Sequence, residues 1–101
     1  MYYQPMKQAL ELPEWTFLSN HGHILVRIAQ NPDLKVAEIA AAIGITERST
    51  LSILGDLEET GYITVERIGR RNRYTVNPKK KFRHPSEASH SIGELIEIFT
   101  G

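Results

Sequence analysis

A chain of 101 residues is long enough for one compact domain with a modest core and too short for two, and its 41% hydrophobic and 24% charged residues exclude a disordered polymer. Twelve Lys and Arg balance twelve Asp and Glu, and there is no cysteine, so disulfide frameworks, thiolate zinc sites and thiol nucleophiles are excluded. Met1 to Glu14 lacks the basic start and apolar centre of a signal peptide, and the longest apolar run, Ile39 to Ile45, is too short to cross a bilayer; the expected setting is the cytoplasm, with no membrane partner.

Residues 1–18 mix Tyr2, Tyr3, Leu10, Leu12, Trp15, Phe17 and Leu18 with Pro5 and Pro13, which predicts an arm whose helices, if any, are short. Asn20 is a suitable cap for a first helix, where Ile24, Leu25 and Ile28 follow helical spacing until Asn31-Pro32 stops it. Val36, Ile39, Ala40 and Ile43 predict a short second helix, closed by Gly44. Thr46 is the expected N-cap of a third, with Thr50, Ile53, Leu54 and Leu57 as its inward stripe and Gly61 at its end. Two helices then flank a turn of about three residues.

The β-branched stretch Tyr62 to Ile68, a turn at Gly69-Arg70-Arg71-Asn72 and a second strand from Arg73 to Val76 predict a hairpin with a basic tip. Lys79-Lys80-Lys81 and Arg83 continue the cationic strip, either as contacts to a nucleic-acid backbone or as a solubilising linker. Ile92, Leu95, Ile96 and Phe99 then give an apolar stripe on a C-terminal helix, with nothing after it to cover that stripe.

The net charge of zero hides a strong asymmetry. Eight of the twelve basic residues fall between Arg67 and Arg83, a stretch without a single Asp or Glu. Helix, turn, helix and basic hairpin have a joint physical use, because a helix fits the major groove while a cationic ribbon reaches the neighbouring backbone or minor groove.

Three segments, Val36-Ala37-Glu38-Ile39-Ala40, Gly44-Ile45-Thr46-Glu47-Arg48 and Asp56 to Ile63, together with Gly69-Arg70-Arg71-Asn72-Arg73-Tyr74, make the chain resemble the winged helix-turn-helix transcriptional regulators of prokaryotes, of the broad MarR/ArsR-like kind. The resemblance covers about Asn20 to Val76. It implies a mainly α fold with a small β-hairpin (α+β), in which a three-helix core carries a two-stranded wing and terminal arm and helix. The implied organisation is an N-terminal arm at 1–18, the DNA-binding domain at 19–78, and a basic linker and C-terminal helix at 79–101.

The implied activity is sequence-specific binding of double-stranded DNA and regulation of transcription, with residues 46–60 as the recognition helix in the major groove and residues 67–73 as the wing. Thr46 would cap that helix near a phosphate, and Arg48, Ser49 and Ser52 would face base edges. Their position supports this independently: they lie off the inward stripe, a helix N-terminus favours an anion, and Arg can hold guanine bidentately. Leu51 is open to two readings, contact with a thymine methyl or with a protein partner. Glu47, Glu58 and Glu59 make the same helix anionic in places. In the wing, Arg70 and Arg71 are placed for the minor groove and Arg67 and Arg73 for phosphates, with Asn72 among them.

Trp15, Phe17, Ile92, Leu95, Ile96 and Phe99 are the expected dimerisation residues, since pairing two copies sets two recognition helices about one DNA turn apart. A pocket for a small effector is expected where Trp15, Phe17 and the last helix meet. His21 and His23, two residues apart, cannot share a helical face, and no carboxylate cluster completes a set, so no metal or other cofactor is expected. With no phosphate loop, nucleophile elbow or paired carboxylates, no enzyme is expected either. The competing reading is a winged-helix protein-interaction module within a larger assembly, against which the basic wing speaks.

Overall fold

A computed structural model describes residues 11–101; the expected contributions of Tyr2, Tyr3, Pro5 and Leu10 lie outside them. Among the described residues four α-helices, α1 (Asn20–Gln30), α2 (Val36–Ile43), α3 (Glu47–Glu59) and α4 (Ile92–Thr100), and a 3-10 turn at Pro85–Glu87 accompany one hairpin of β1 (Ile63–Ile68) and β2 (Arg71–Val76). This is the winged helix-turn-helix arrangement, mainly α with a two-stranded wing. Residues 11–19 form neither helix nor strand.

The cap of α1 is Ser19 rather than Asn20. Both residue types suit the position, but Ser19 is the extended one (ψ 173°), and its hydroxyl accepts from the Gly22 N–H, while Asn20 is already helical. At α3 the local chemistry acts as expected: the Thr46 hydroxyl accepts from the Ser49 N–H at 3.0 Å, and Thr50, Ile53, Leu54 and Leu57 are buried. Ile24, Leu25 and Ile28 of α1, Ile39 of α2 and this stripe form one core, closed below the wing by Tyr62, Ile63 and Tyr74. With α1 packed against α2, α3, α4 and β2, α3 sits on a rigid support.

The wing is tighter than its sequence suggests. β1 and β2 pair antiparallel from Ile63↔Val76 to Ile68↔Arg71, leaving only Gly69 and Arg70 in the loop. Gly69 has φ +64° and, among the described residues, no non-glycine has positive φ, so Arg70 does not, which is the type II′ pattern that matches strand twist in a two-residue turn. Arg71 and Asn72, expected in the turn, therefore belong to β2, because two residues suffice to reverse the chain once glycine supplies the first dihedral. Tyr74 stands in a pair whose backbone groups point away from β1, and its N–H donates to the Pro32 carbonyl at 3.0 Å. The α1–α2 connection is thereby stitched to the outer edge of the hairpin.

Residues 79–101 do not form a loose linker to a lone helix. The Tyr62 hydroxyl donates to the Lys81 carbonyl, Lys81 bridges to Ser91, and the Ile92 N–H donates to the Lys80 carbonyl at 2.7 Å. A Cβ at position 93 would lie 2.9 Å from the Pro78 carbonyl oxygen, so Gly93 permits α4 to start directly against the base of the wing. Phe82 packs on the core and Ile92 is part of it, only 5% exposed. The stripe expected to be uncovered is thus partly satisfied within the chain itself. Ile92 and Ile96 serve its own core, α4 lies against α1, and Gln30 Nε2 donates to the Phe99 carbonyl at 3.2 Å. What remains outward is Phe99 and, one residue before it, Ile98, which is 73% exposed.

Candidate nucleic-acid interface

The outward face of α3 follows from its inward one. Once Thr50, Ile53, Leu54 and Leu57 are buried, helical geometry turns Arg48, Ser49, Leu51, Ser52 and Gly55 to solvent, and all five are exposed. The N–H groups of Glu47 and Arg48, in the first turn, have no intrahelical partner and give this end its partial positive charge. Thr46 and Ser49 are less free than expected, since the Thr46 hydroxyl also donates to Ser49 Oγ at 3.0 Å, which leaves the Ser49 hydroxyl proton as the outward donor. Asp56, Glu58 and Glu59 load the C-terminal half with negative charge, whereas in the first turn Glu47 stands beside Arg48, so the N-terminal half is the part better fitted to approach an anion.

Leu51 is 57% exposed, and Ile68, near the wing tip, is half exposed. Neither is buried by the rest of the chain. Gly55 has nothing within 4 Å of where a Cβ would stand, so at this one position the outward face is bare helix backbone.

The register sorts the wing residues. Arg67 and Asn72 pair across the strands on the side of Val65 and Tyr74, whereas Arg71 and Arg73 project from the other side with Ile68 and Glu66. Arg67 is turned back on the tip, its Nε donating to the Gly69 carbonyl at 2.9 Å. Arg70 occupies the second loop position and is exposed.

The wing charge is not uncompensated, as the acid-free stretch from Arg67 to Arg83 suggests. Glu66 is the direct cross-strand neighbour of Arg73, and Asp33, from the α1–α2 connection, places Oδ1 3.9 Å from Arg73 Nε. The Asp33 carbonyl also accepts from Arg71 Nη2 at 3.4 Å. Asp33 carries no local signal of this role, because it lies 38 residues from Arg71 in a turn that the sequence marks only as the end of a helix.

Lys80, the middle of the lysine run, sits 5.2 Å from the centroid of the Tyr62 ring and beside Gly61, at the C-terminal end of α3. There a cation complements the ring face and the helix dipole. Lys79, Lys81 and Arg83 remain exposed at the base of the wing, away from its tip.

The histidines are used locally. His21 Nε2 meets Asp56 Oδ2 at 2.8 Å and ties α1 to α3, His84 Nδ1 accepts from the Ser86 N–H, and His90 Nδ1 meets Glu94 Oε1 at 2.8 Å. Among the described residues no group of three or more His, Asp or Glu is arranged to hold a metal, and no helix is long and apolar enough to cross a membrane.

A cleft of about 450 Å³ opens between residues 17–19, α1, the end of α3 and α4, with Leu25, Leu57, Tyr62, Phe82, Ile92 and Leu95 among its walls. Phe17 lines it, but Trp15, expected beside it in an effector pocket, does not. Instead Trp15 stacks edge-on against Phe17, ring centroids 5.1 Å apart, and Phe17 is 92% exposed.

Comparison with known proteins agrees with this geometry. Residues 19–64 match the family model described as winged helix-turn-helix DNA-binding. Among solved structures the chain is similar to MepR, a transcription regulator of the Staphylococcus aureus multidrug efflux pump MepA, with 24% identity and a TM-score of 0.54 over 80% of this chain and 53% of that one. That likeness is one of fold, and the chain spans about half the length of that regulator. No curated protein matches the chain in sequence.

Proposed function

We propose that this chain, a winged helix-turn-helix protein by fold, binds double-stranded DNA sequence-specifically and regulates transcription as a homodimer. The observation that carries the reading is the pairing of an exposed, polar N-terminal half of α3 with a wing that holds four arginines in seven residues. Arg48 is the residue on α3 best suited to read a base, since its guanidinium can engage guanine O6 and N7 together, while Ser49 and Ser52 add permissive contacts. Thr46 fixes the helix end and with it the approach of the first-turn N–H groups to a phosphate.

The wing supplies affinity rather than sequence. Arg70 at the tip and Arg71 beside it reach the adjacent groove or backbone, and Arg67, Asn72 and Arg73 extend the contact along the ribbon. The acids on the second half of α3 oppose a helix lying flat in the groove and favour entry by its N-terminal end.

Dimerisation is proposed through the terminal segments, where Trp15, Phe17, Ile98 and Phe99 leave apolar surface outward, Ile96 packs on the core beneath α4 and Leu95 lines the cleft beside it. Light scattering should give twice the 11.5 kDa chain mass; a monomer at micromolar concentration refutes this part.

Binding to mixed-sequence duplex followed by selection of tight sites tests the reading as a whole. Salt-sensitive binding and enrichment of a pseudo-palindrome support it. Absence of binding at low salt favours an interaction module that uses Leu51 and Ile68.

A further inference from the structure

The wing arginines meet one acid from outside the hairpin, and that contact has a consequence for DNA affinity, granted the DNA-binding reading on which it rests. Asp33 Oδ1 lies 3.9 Å from Arg73 Nε, and the Asp33 carbonyl takes an N–H from Arg71 at 3.4 Å. Asp33, Ile68, Arg71, Asn72 and Arg73 together line a recess of about 210 Å³, large enough for a phosphate group. A carboxylate of the protein itself therefore already stands beside Arg73, in a recess that Arg71 also lines.

The backbone of Asp33 is fixed while its carboxylate is not. Pro32 is bound to Tyr74 of β2 through its carbonyl, and the Asp33 N–H donates to Asn31 Oδ1 at 3.2 Å. The side chains of Asp33 and Arg73 are each about half exposed, at 45% and 48%, and their separation is at the long end of an ion pair. Such a pair adds little to stability and yields readily. A phosphate, which accepts two parallel N–H bonds from an arginine, is the stronger partner.

We propose that Asp33 is an intramolecular competitor for DNA phosphate on the wing. Its carboxylate occupies the place beside Arg73 that a phosphate takes in the complex, and so lowers the sequence-independent part of the affinity. Because phosphate contacts carry no base information, the restraint acts equally on every sequence and leaves the readout by Arg48 untouched.

The test is Asp33→Asn in the full chain, an exchange of nearly equal shape that removes only the charge. Fluorescence anisotropy on two unrelated duplexes should show the variant binding about two- to fivefold more tightly at about 50 mM salt, the range a surface ion pair can supply, and less so at about 200 mM. The gain should be the same on both duplexes and should vanish in an Arg73→Ala background. Wild-type binding that depends on salt, with Asp33→Asn unchanged or weaker, overturns the inference and leaves DNA binding intact. No binding by either protein removes the DNA-binding reading and this inference with it.

Discussion

Replacing Ile92 by alanine separates two accounts of α4. If its stripe served only a partner subunit, the protomer would hardly notice the change. In the structure Ile92 is 5% exposed and belongs to the core with Leu57, Tyr62 and Ile63. Truncation removes about three methyl or methylene groups, worth roughly 0.8 kcal/mol each in transfer, and adds a cavity term. Ile92 also borders the cleft beside α4, where neighbours have room to relax, so the expected loss is about 2–3 kcal/mol, at the low end for such substitutions. For a domain of this size that lowers the thermal midpoint by about 10–20 °C.

Urea unfolding by circular dichroism, at about 1 and about 100 µM protein, reads both quantities, because stability drawn from a subunit interface depends on concentration. The difference between wild type and Ile92→Ala should be the same at both concentrations, and Ile98→Ala, 73% exposed, should change protomer stability by no more than about 0.5 kcal/mol. A loss below about 1 kcal/mol for Ile92→Ala, or one that disappears on dilution, refutes the placement of Ile92 in the protomer core.

Gly55→Ala should stabilise the chain by about 0.5–1 kcal/mol in the same unfolding assay, since the position is an exposed helix interior with open space around it. Destabilisation would mean that the backbone there is not free helix. The Glu94 carboxylate is held below its ordinary value of 4.5, first by the N–H of Ser91 and then by His90. A depressed folded-state pKa contributes stability that is present above pH 4.5 and lost as pH falls through the lower folded value. Glu94→Gln should therefore melt lower at neutral pH and show a shallower decline toward about pH 3; an unchanged acid limb contradicts the sign.

The parts of the fold legible in the sequence are those set by short-range rules. The period of Val36, Ile39, Ala40 and Ile43, and that of Thr50, Ile53, Leu54 and Leu57, place α2 and α3, and Thr46 caps α3 because its hydroxyl has only to reach three residues on. The hairpin was legible as an element but not in its limits, since four polar residues at 69–72 all suit a turn and only the dihedrals of Gly69 decide that two of them make it.

The rest depended on pairs distant in sequence. Nothing local links Tyr62 to Lys81, or shows that Phe82 and Ile92 fold back onto the helices. The outward residues of α3 follow from its buried stripe, so Arg48, Ser49 and Ser52 were accessible to sequence reasoning. Asp33 was not, because counting charge along a window from 67 to 83 misses an acid that the fold brings to the wing from another loop.

The central claim is that the basic hairpin holds DNA by its phosphates, and the salt dependence of binding tests it most directly. Affinity for a mixed duplex should be measured between about 50 and 200 mM salt for wild type and for Arg70→Ala/Arg71→Ala. The account predicts a steep linear fall of log K with log salt in the wild type, and a slope made shallower by about 1 for each lost contact, about 2 per chain bound, in the double variant. Equal slopes for the two proteins, or affinity indifferent to salt, would contradict it.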